Sequence, residues 1–546
     1  MQITRSLLVA AGVGSLIATA APGAAHATTG AEATKQLEQE LQTLRAQVDT
    51  LQQQLDQQVQ EQQRTRSEAE TAAAQAAAAK ADAAAIPARV ASEMKAAKTP
   101  PGVIEYKGLK ISLGGFLAAE AIYRSHNETA DIGSSFGGIP YPNNPVGHQS
   151  ELRFTARQSR LATLVEGDVN PQTHLAFYGE FDFNAAAQTA NSNESNSFNL
   201  RIRNLYGTVD WNDIGLHLLA GQNWSLATMN THGITPRNEL TPPQIDAQYV
   251  PGFVWARQPQ FRVTENYGKN LWVALSLENP QTTFYTGANK FPSTTDLVYN
   301  SPAGSGYAAS NTLSLNHVPD VIGKVAYEAP IAGRDVHLEA FGLYRSFATR
   351  LNQANQSASG GGFGFGIVAP LVPNLLDFQV SGLAGRGIGR YGSAQLPDLT
   401  FDSAGNMHPI HEVDALVGLT LHATPMLDVY LFAGEEKESA ESFDLTTTTG
   451  TTTGTTTGTV GYGYGNPLYS NSGCFGETAV GACVGNTRLV EQGTLGFWHR
   501  VYVGSFGKFQ WGLQYSYTQR NAFAGVGGAP IANDSMVFAS VRYFPF

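Results

Sequence analysis

The stretch Leu109-Lys110-Ile111-Ser112-Leu113-Gly114-Gly115-Phe116-Leu117-Ala118-Ala119-Glu120-Ala121-Ile122-Tyr123-Arg124 decides the fold. One parity reads Leu109, Ile111, Leu113, Gly115, Leu117, Ala119, Ala121 and Tyr123. The other carries Lys110, Ser112, Glu120 and Arg124. Period two places alternate side chains on opposite faces of a strand. Soluble strands run to about six residues, so a strand this long with one wholly apolar face suits a tilted crossing of lipid.

The pattern recurs outward from this stretch. Leu175, Phe177, Gly179, Phe181 and Phe183 oppose His174, Tyr178, Glu180 and Asp182. Leu271, Val273, Leu275 and Leu277 oppose Trp272, Ser276 and Glu278, and Leu427, Val429, Leu431 and Ala433 oppose Asp428 and Tyr430. Phe509, Trp511, Leu513, Tyr515 and Tyr517 oppose Gln510, Gln514, Ser516 and Thr518. Short turns, such as Val169-Asn170-Pro171-Gln172 and Ala332-Gly333-Arg334-Asp335, alternate with long polar loops, the asymmetry of a membrane barrel. The chain ends Arg542-Tyr543-Phe544-Pro545-Phe546, and a terminal Phe after an alternating strand resembles the recognition signal of outer-membrane barrels. At about 10 membrane residues per strand plus connections, residues 103–546 hold about 16 antiparallel strands, with about 14 or 18 also fitting.

Composition agrees. Charged residues are only 14% of the 546, yet mean hydropathy is slightly negative at -0.18, so Gly, Ser, Thr, Asn and Gln supply the polarity. No internal run approaches the roughly 20 apolar residues of a membrane helix. A chain that crosses lipid without such helices must close its strands into a barrel. The net charge of -11 argues against nucleic acid as a partner, because phosphate binding needs concentrated Lys and Arg.

Before the barrel, residues 1–27 read as an export signal: Arg5, an apolar centre from Leu7 to Ile17, and a small-x-small site at Ala25-His26-Ala27. The alternative is an uncleaved anchor helix. Residues 28–70 carry heptads, with Leu41, Val48 and Leu55 at one core position and Leu37, Leu44 and Leu51 at the other. A lone helix cannot bury that seam, so the α-helical stalk implies self-association as a periplasmic coiled coil. The alternative is an amphipathic helix lying on its own barrel. Residues 71–102 form an Ala- and Pro-rich linker, in which Pro87 and Pro100-Pro101 stop helical structure.

Three features of the barrel region point to function. The Pro-rich segment from Ser225 to Pro259 is long enough to fold inward and narrow the lumen; the alternative is an ordinary external loop. Arginines group at Arg153, Arg157 and Arg160, at Arg201 and Arg203, and at Arg386 and Arg390. Arg on the lipid face near the midplane costs about 2–4 kcal/mol, so these residues are expected to line the lumen or a rim. There, guanidinium forks favour carboxylate solutes; equally, they can pair with Glu151, Glu166, Glu180 or Asp182 as wall contacts. Cys474 and Cys483, in an exported chain, read as a small surface disulfide loop rather than a metal pair, since no His sits close by. The Thr-Gly tract from Thr446 to Thr459 reads as a flexible loop tip.

Catalytic readings fare poorly. His217, His337, His422 and His499 fall in strand-like segments without a neighbouring nucleophile motif, and no Gly-rich nucleotide loop links a strand to a helix. No cofactor, metal or catalytic residue is expected.

Phe154-Thr155-Ala156-Arg157-Gln158-Ser159-Arg160-Leu161, Leu219-Ala220-Gly221-Gln222-Asn223-Trp224-Ser225 and Gly385-Arg386-Gly387-Ile388-Gly389-Arg390-Tyr391 resemble the DcaP-like porins, outer-membrane channels associated with dicarboxylic acids. The Asn466-Pro467 to Cys483 loop and the heptads fit as well, and the resemblance covers most of the chain. It implies a homotrimer of barrels in outer-membrane lipid, joined by a three-stranded coiled coil, passing small anionic solutes by diffusion past lumenal arginines. The Thr-Gly tract departs from that pattern. Two other functions compete: a tether whose stalk binds peptidoglycan while the barrel anchors it, and an adhesin or receptor acting through its loops. A filled lumen would favour the tether.

Overall fold

The computed structural model describes residues 103–184, 197–300, 313–451 and 454–546, with scattered positions from 38 that become continuous over 59–71 and end at 75. The chain divides into two compact units, Met1–Pro87 and Ala88–Phe546. In the first, every described position is helical. Leu41, Val48 and Leu55, seven residues apart, are exposed on that helix. Leu37, Leu44 and Leu51 lie outside the described residues, as do the export signal over 1–27 and the linker beyond 75.

In the second unit, among the described residues, sixteen antiparallel strands close a transmembrane barrel. They are β1 (Leu109–Arg124), β2 (Arg160–Asn170), β3 (Thr173–Asp182), β4 (Arg201–Trp211) and β5 (Leu216–Trp224). Next come β6 (Arg257–Tyr267), β7 (Leu271–Glu278), β8 (Asp320–Ile331), β9 (Arg334–Leu351), β10 (Ala354–Val372) and β11 (Leu376–Arg386). The last five are β12 (His411–Thr424), β13 (Leu427–Glu438), β14 (Thr487–Gly504), β15 (Gly507–Ala522) and β16 (Ile531–Phe544). Closure comes from β16 returning to β1, with Tyr543 opposite Leu117 and Met536 opposite Arg124. The described helices include none long and apolar enough to cross a membrane; the paired, closed strands satisfy one another's backbone, as lipid requires.

The alternation sorts every strand into two faces. Outward stand Leu117, Phe177, Phe261, Leu275, Phe363, Leu431, Leu495 and Trp511, all exposed; Phe363 is 80% accessible and Phe261 71%. Inward stand Glu120, Arg124, Glu180, Lys324, Arg345, Gln514 and Ser516, all buried. An apolar belt around a polar interior is the pattern of a membrane barrel, and here the packed core lies inside the wall.

Tight turns such as Pro171-Gln172 and Ala332-Gly333 join strands at one end. The other end carries the long connections, except that Asn352 (φ 48°) and Gln353 (φ 66°) link β9 to β10 by a two-residue hairpin turn. The Thr-Gly tract is not a simple loop tip. Glu441–Thr451 pairs with Gly454–Tyr464 as a separate two-stranded ribbon. The β-branched Thr residues favour this extended pairing, and Thr446 and Thr459 share a hydrogen bond across it at 3.0 Å.

Candidate functional site

Between β5 and β6 the segment 225–256 runs inside the barrel and touches walls on both sides. On one side the Asn230 amide donates to Glu339 of β9 at 3.0 Å and the Gly233 amide to Glu328 of β8 at 2.7 Å. On the other, the Ile245 amide donates to Gln514 of β15 at 2.6 Å, and Trp498 of β14 donates to the Pro243 carbonyl at 2.8 Å. Ile245, Val250 and Phe253 pack against Leu416 of β12, Tyr430 and Phe432 of β13 and Phe538 of β16. The inward fold of this segment agrees with its length and proline content.

Two glycines let the segment lie against the wall. Gly252 adopts φ +85°, and a Cβ there would collide with the Ala415 carbonyl of β12. Gly434 of β13 faces the Pro251 carbonyl, where a side chain would occupy the same space. Two further segments, 125–150 and 387–410, also enter. The Ala247 amide donates to the Ile132 carbonyl at 3.0 Å and the Trp255 amide to the Tyr391 carbonyl at 2.8 Å. Above them a cavity of about 380 Å³ is bordered by Phe136, Gln248, Tyr285, Ser393, Tyr464 and Arg520.

Five of the sequence-selected arginines gather beside β1–β4. The ladder between β1 and its neighbour breaks after Thr155 and resumes at Arg160, because Glu151–Thr155 pairs only with the far end of β1. Ser159 fills the break by accepting the Ala118 amide at 2.9 Å. Arg157 then meets Asp131 at 3.4 Å and lies over the Phe198 ring at 3.5 Å. Arg153 pairs with Glu151 at 3.2 Å. Arg160 reaches Glu180 at 3.2 Å, Arg201 grips Asp182 with two bonds at 2.9 and 2.6 Å, and Arg203 bridges Glu180 at 3.1 Å and Asp182 at 3.0 Å. Among the described residues three guanidinium groups thus share two carboxylates. Wall pairing and lumenal placement therefore coexist. Glu166 pairs with His174 instead, at 3.7 Å.

The last two arginines are separate. Arg390 lies within the barrel on 387–410 and pairs with Asp320 of β8 at 2.7 Å. Arg386 corrects the expectation of a pore-lining role. Its register partner His411 shares the outward parity, whereas its neighbour Gly385 pairs with the buried Glu412. Arg386 is 58% exposed and pairs with Glu441 at 2.6 Å at the base of the Thr-Gly ribbon. A one-residue offset at the strand end exchanges faces.

Sequence reasoning missed several groups that only the assembled interior reveals. Arg257 lies 4.7 Å from the Trp224 ring and 4.6 Å from Trp255. Burial alone would raise the Tyr249 hydroxyl; Arg160, Arg203 and Arg257 overcome it and hold the group below its ordinary value. Arg124 donates to Glu151 at 2.8 Å and lies 3.8 Å from Glu128. Burial pushes the Glu128 carboxyl up to about 8, with Arg124 opposing, and also raises Asp246 nearby. Arg345 is fully buried and pairs with Asp320 at 3.2 Å and Asp398 at 2.5 Å. Cys474 and Cys483 are bonded to each other, as the sequence led us to expect.

No protein-family model matches the chain, and no curated protein sequence matches it. The crystal structure of the outer membrane channel DcaP of Acinetobacter baumannii aligns over 81% of this chain and 99% of its own, at 19% identity and a TM-score of 0.56. The chain has the fold of an outer-membrane channel. An anion-selective porin from Comamonas acidovorans aligns over 80% of this chain and 99% of its own, at 10% identity and a TM-score of 0.42. OmpF of Salmonella typhi, in complex with daunomycin, covers 81% and 99% at 9% identity and 0.43.

Proposed function

We propose that the chain is an outer-membrane porin that passes small anionic, dicarboxylate-like solutes by diffusion and works as a homotrimer held by its periplasmic heptad helices. The observation that carries this reading is the arginine cluster: Arg160, Arg201 and Arg203 gather on the inward face around Glu180 and Asp182, beside a segment that narrows the barrel. In a confined, low-dielectric passage, clustered guanidinium groups attract carboxylates in a forked geometry. The exposed Leu41, Val48 and Leu55 supply a seam for two further copies. Dense packing of 243–256 against β12, β13 and β14 favours a second reading, in which the barrel anchors a cell-wall tether. Planar-bilayer conductance across a salt gradient separates the two. Currents stepping in threes with an anion-selective reversal potential are expected. Cation selectivity would remove the solute class, and a correctly inserted but silent barrel would leave the tether.

A further inference from the structure

On the barrel's inward face, β12 and β13 bring four carboxylates together, and among the described residues no Lys, Arg or His forms an ion pair with them. Glu412 stands opposite Glu438, and Asp414 opposite Glu436, in alternate rungs of one ladder, both on the inward face. All four are at most 2% exposed. Like charges directly opposite each other on one sheet face destabilise it, and buried charges must be paired, neutralised or bound to a metal.

The four are not equally supported. The Glu436 carboxylate accepts the Gly252 amide at 2.8 Å and the Ala394 amide at 3.0 Å, so both inward segments hold it in place. Both oxygens of Glu412, of Asp414 and of Glu438 are buried without a well-aligned donor among the described residues, although Glu412 and Asp414 lie close enough to share a proton. The Tyr464 hydroxyl, which faces Glu438, donates to the Thr487 carbonyl at 2.5 Å. Asp398, also near Glu438, is taken by Arg345.

The geometry points to a site for a hard divalent cation of the calcium class, held by Glu412, Asp414 and Glu436, with the buried Glu438 carboxylate beside it, opposite Glu412. One oxygen each from the first three lies within 4.8 Å of the others. Ligands on opposite sides of one Ca²⁺ at its usual bond lengths are about 4.6–5.2 Å apart, so one ion can reach all three. An all-carboxylate donor set suits a hard cation and excludes soft ones. Bound there, the ion would tie β12 to β13 and, through Glu436, clamp the two segments that narrow the barrel.

The test uses the full chain in detergent, stripped with chelator and titrated with CaCl₂ alone by calorimetry and thermal unfolding. One Ca²⁺ per chain and a raised melting temperature are expected. Asp414→Asn should weaken binding about tenfold or more and remove the shift. Glu435→Gln, on the outward parity of β13, should leave both unchanged. If Asp414→Asn fails to assemble, Glu412→Gln and the wild-type titration decide. The site is overturned if the wild type neither binds nor shifts, or if folded Asp414→Asn and Glu412→Gln both keep wild-type affinity. A carboxylic-acid C=O infrared band, unchanged by calcium, would then show that the quartet carries protons instead.

Discussion

At the scale of single residues, the barrel interior holds charge in tight, shared arrangements, and substitutions should divide by how many partners each charge serves. Arg203 is buried and holds both Glu180 and Asp182. Removing it leaves Glu180 to Arg160 and Asp182 to Arg201 but takes away the buried guanidinium that joins them, so Arg203→Gln should cost about 1–3 kcal/mol in denaturant unfolding. Arg160 is partly accessible and shares Glu180 with Arg203. Arg160→Gln should therefore unfold near the wild-type midpoint while lowering anion preference in bilayers. Equal destabilisation of the two variants would count against this division. Glu128 makes a pH prediction of definite sign. Its carboxyl rises from 4.5 to about 8 on folding, chiefly through burial. The folded state therefore holds the proton more tightly, and that contribution is present below about 4.5 and lost as pH climbs through about 8. Wild type should lose more thermal stability between pH 5 and pH 9 than Glu128→Gln does. Parallel profiles would refute this.

At the scale of elements, period two in the sequence was enough to foresee β1, β3, β7, β13 and β15, because one face meets lipid and the other does not. Local chemistry also anticipated the Ser225–Pro259 segment as an inward loop. What it misread were ends and ribbons. Arg386 closes β11, where the last residue of a strand falls on either face by one step of register. The Thr-Gly tract looked like a loop tip because Gly interrupts it, yet repeated Thr pairs well across a ribbon. The seat of the inward segment rests on backbone contact at Gly252 and Gly434, which no pattern within either segment announces. Gly434→Ala should push Pro251 off β13 and speed proteolysis within 225–256 of the assembled barrel. Conductance should rise as the segment loosens. An unchanged cleavage pattern would mean that the wall absorbs the methyl group.

At the scale of the whole molecule, a barrel with a helical N-terminal unit is expected to depend on partners for the seam along its helix. Leu41, Val48 and Leu55 are apolar and exposed in the single chain. Changing all three to Ser should leave the barrel's β-sheet circular dichroism unchanged but lower the trimer fraction in crosslinking. A trimer of undiminished yield would place assembly wholly in the barrels.

Alternation of apolar and polar residues, low charge, and turns of unequal length are local properties. By themselves they determined a barrel of about 16 strands with a lipid face and a polar interior. The sequence also marked the arginines, because guanidinium groups are scarce in a chain only 14% charged. Their partners were another matter. Glu180 and Asp182 were plausible from their strand parity, but Asp131 for Arg157 and Asp320 for Arg390 depend on inward segments, and the carboxylate quartet from Glu412 to Glu438, though on one hairpin, shows its want of a cationic partner only in the packed interior. Closure of the barrel and the paths of 125–150 and 387–410 within it set those surroundings. Only the tertiary structure decided which charges are compensated, because compensation depends on distances across the lumen that no local period encodes.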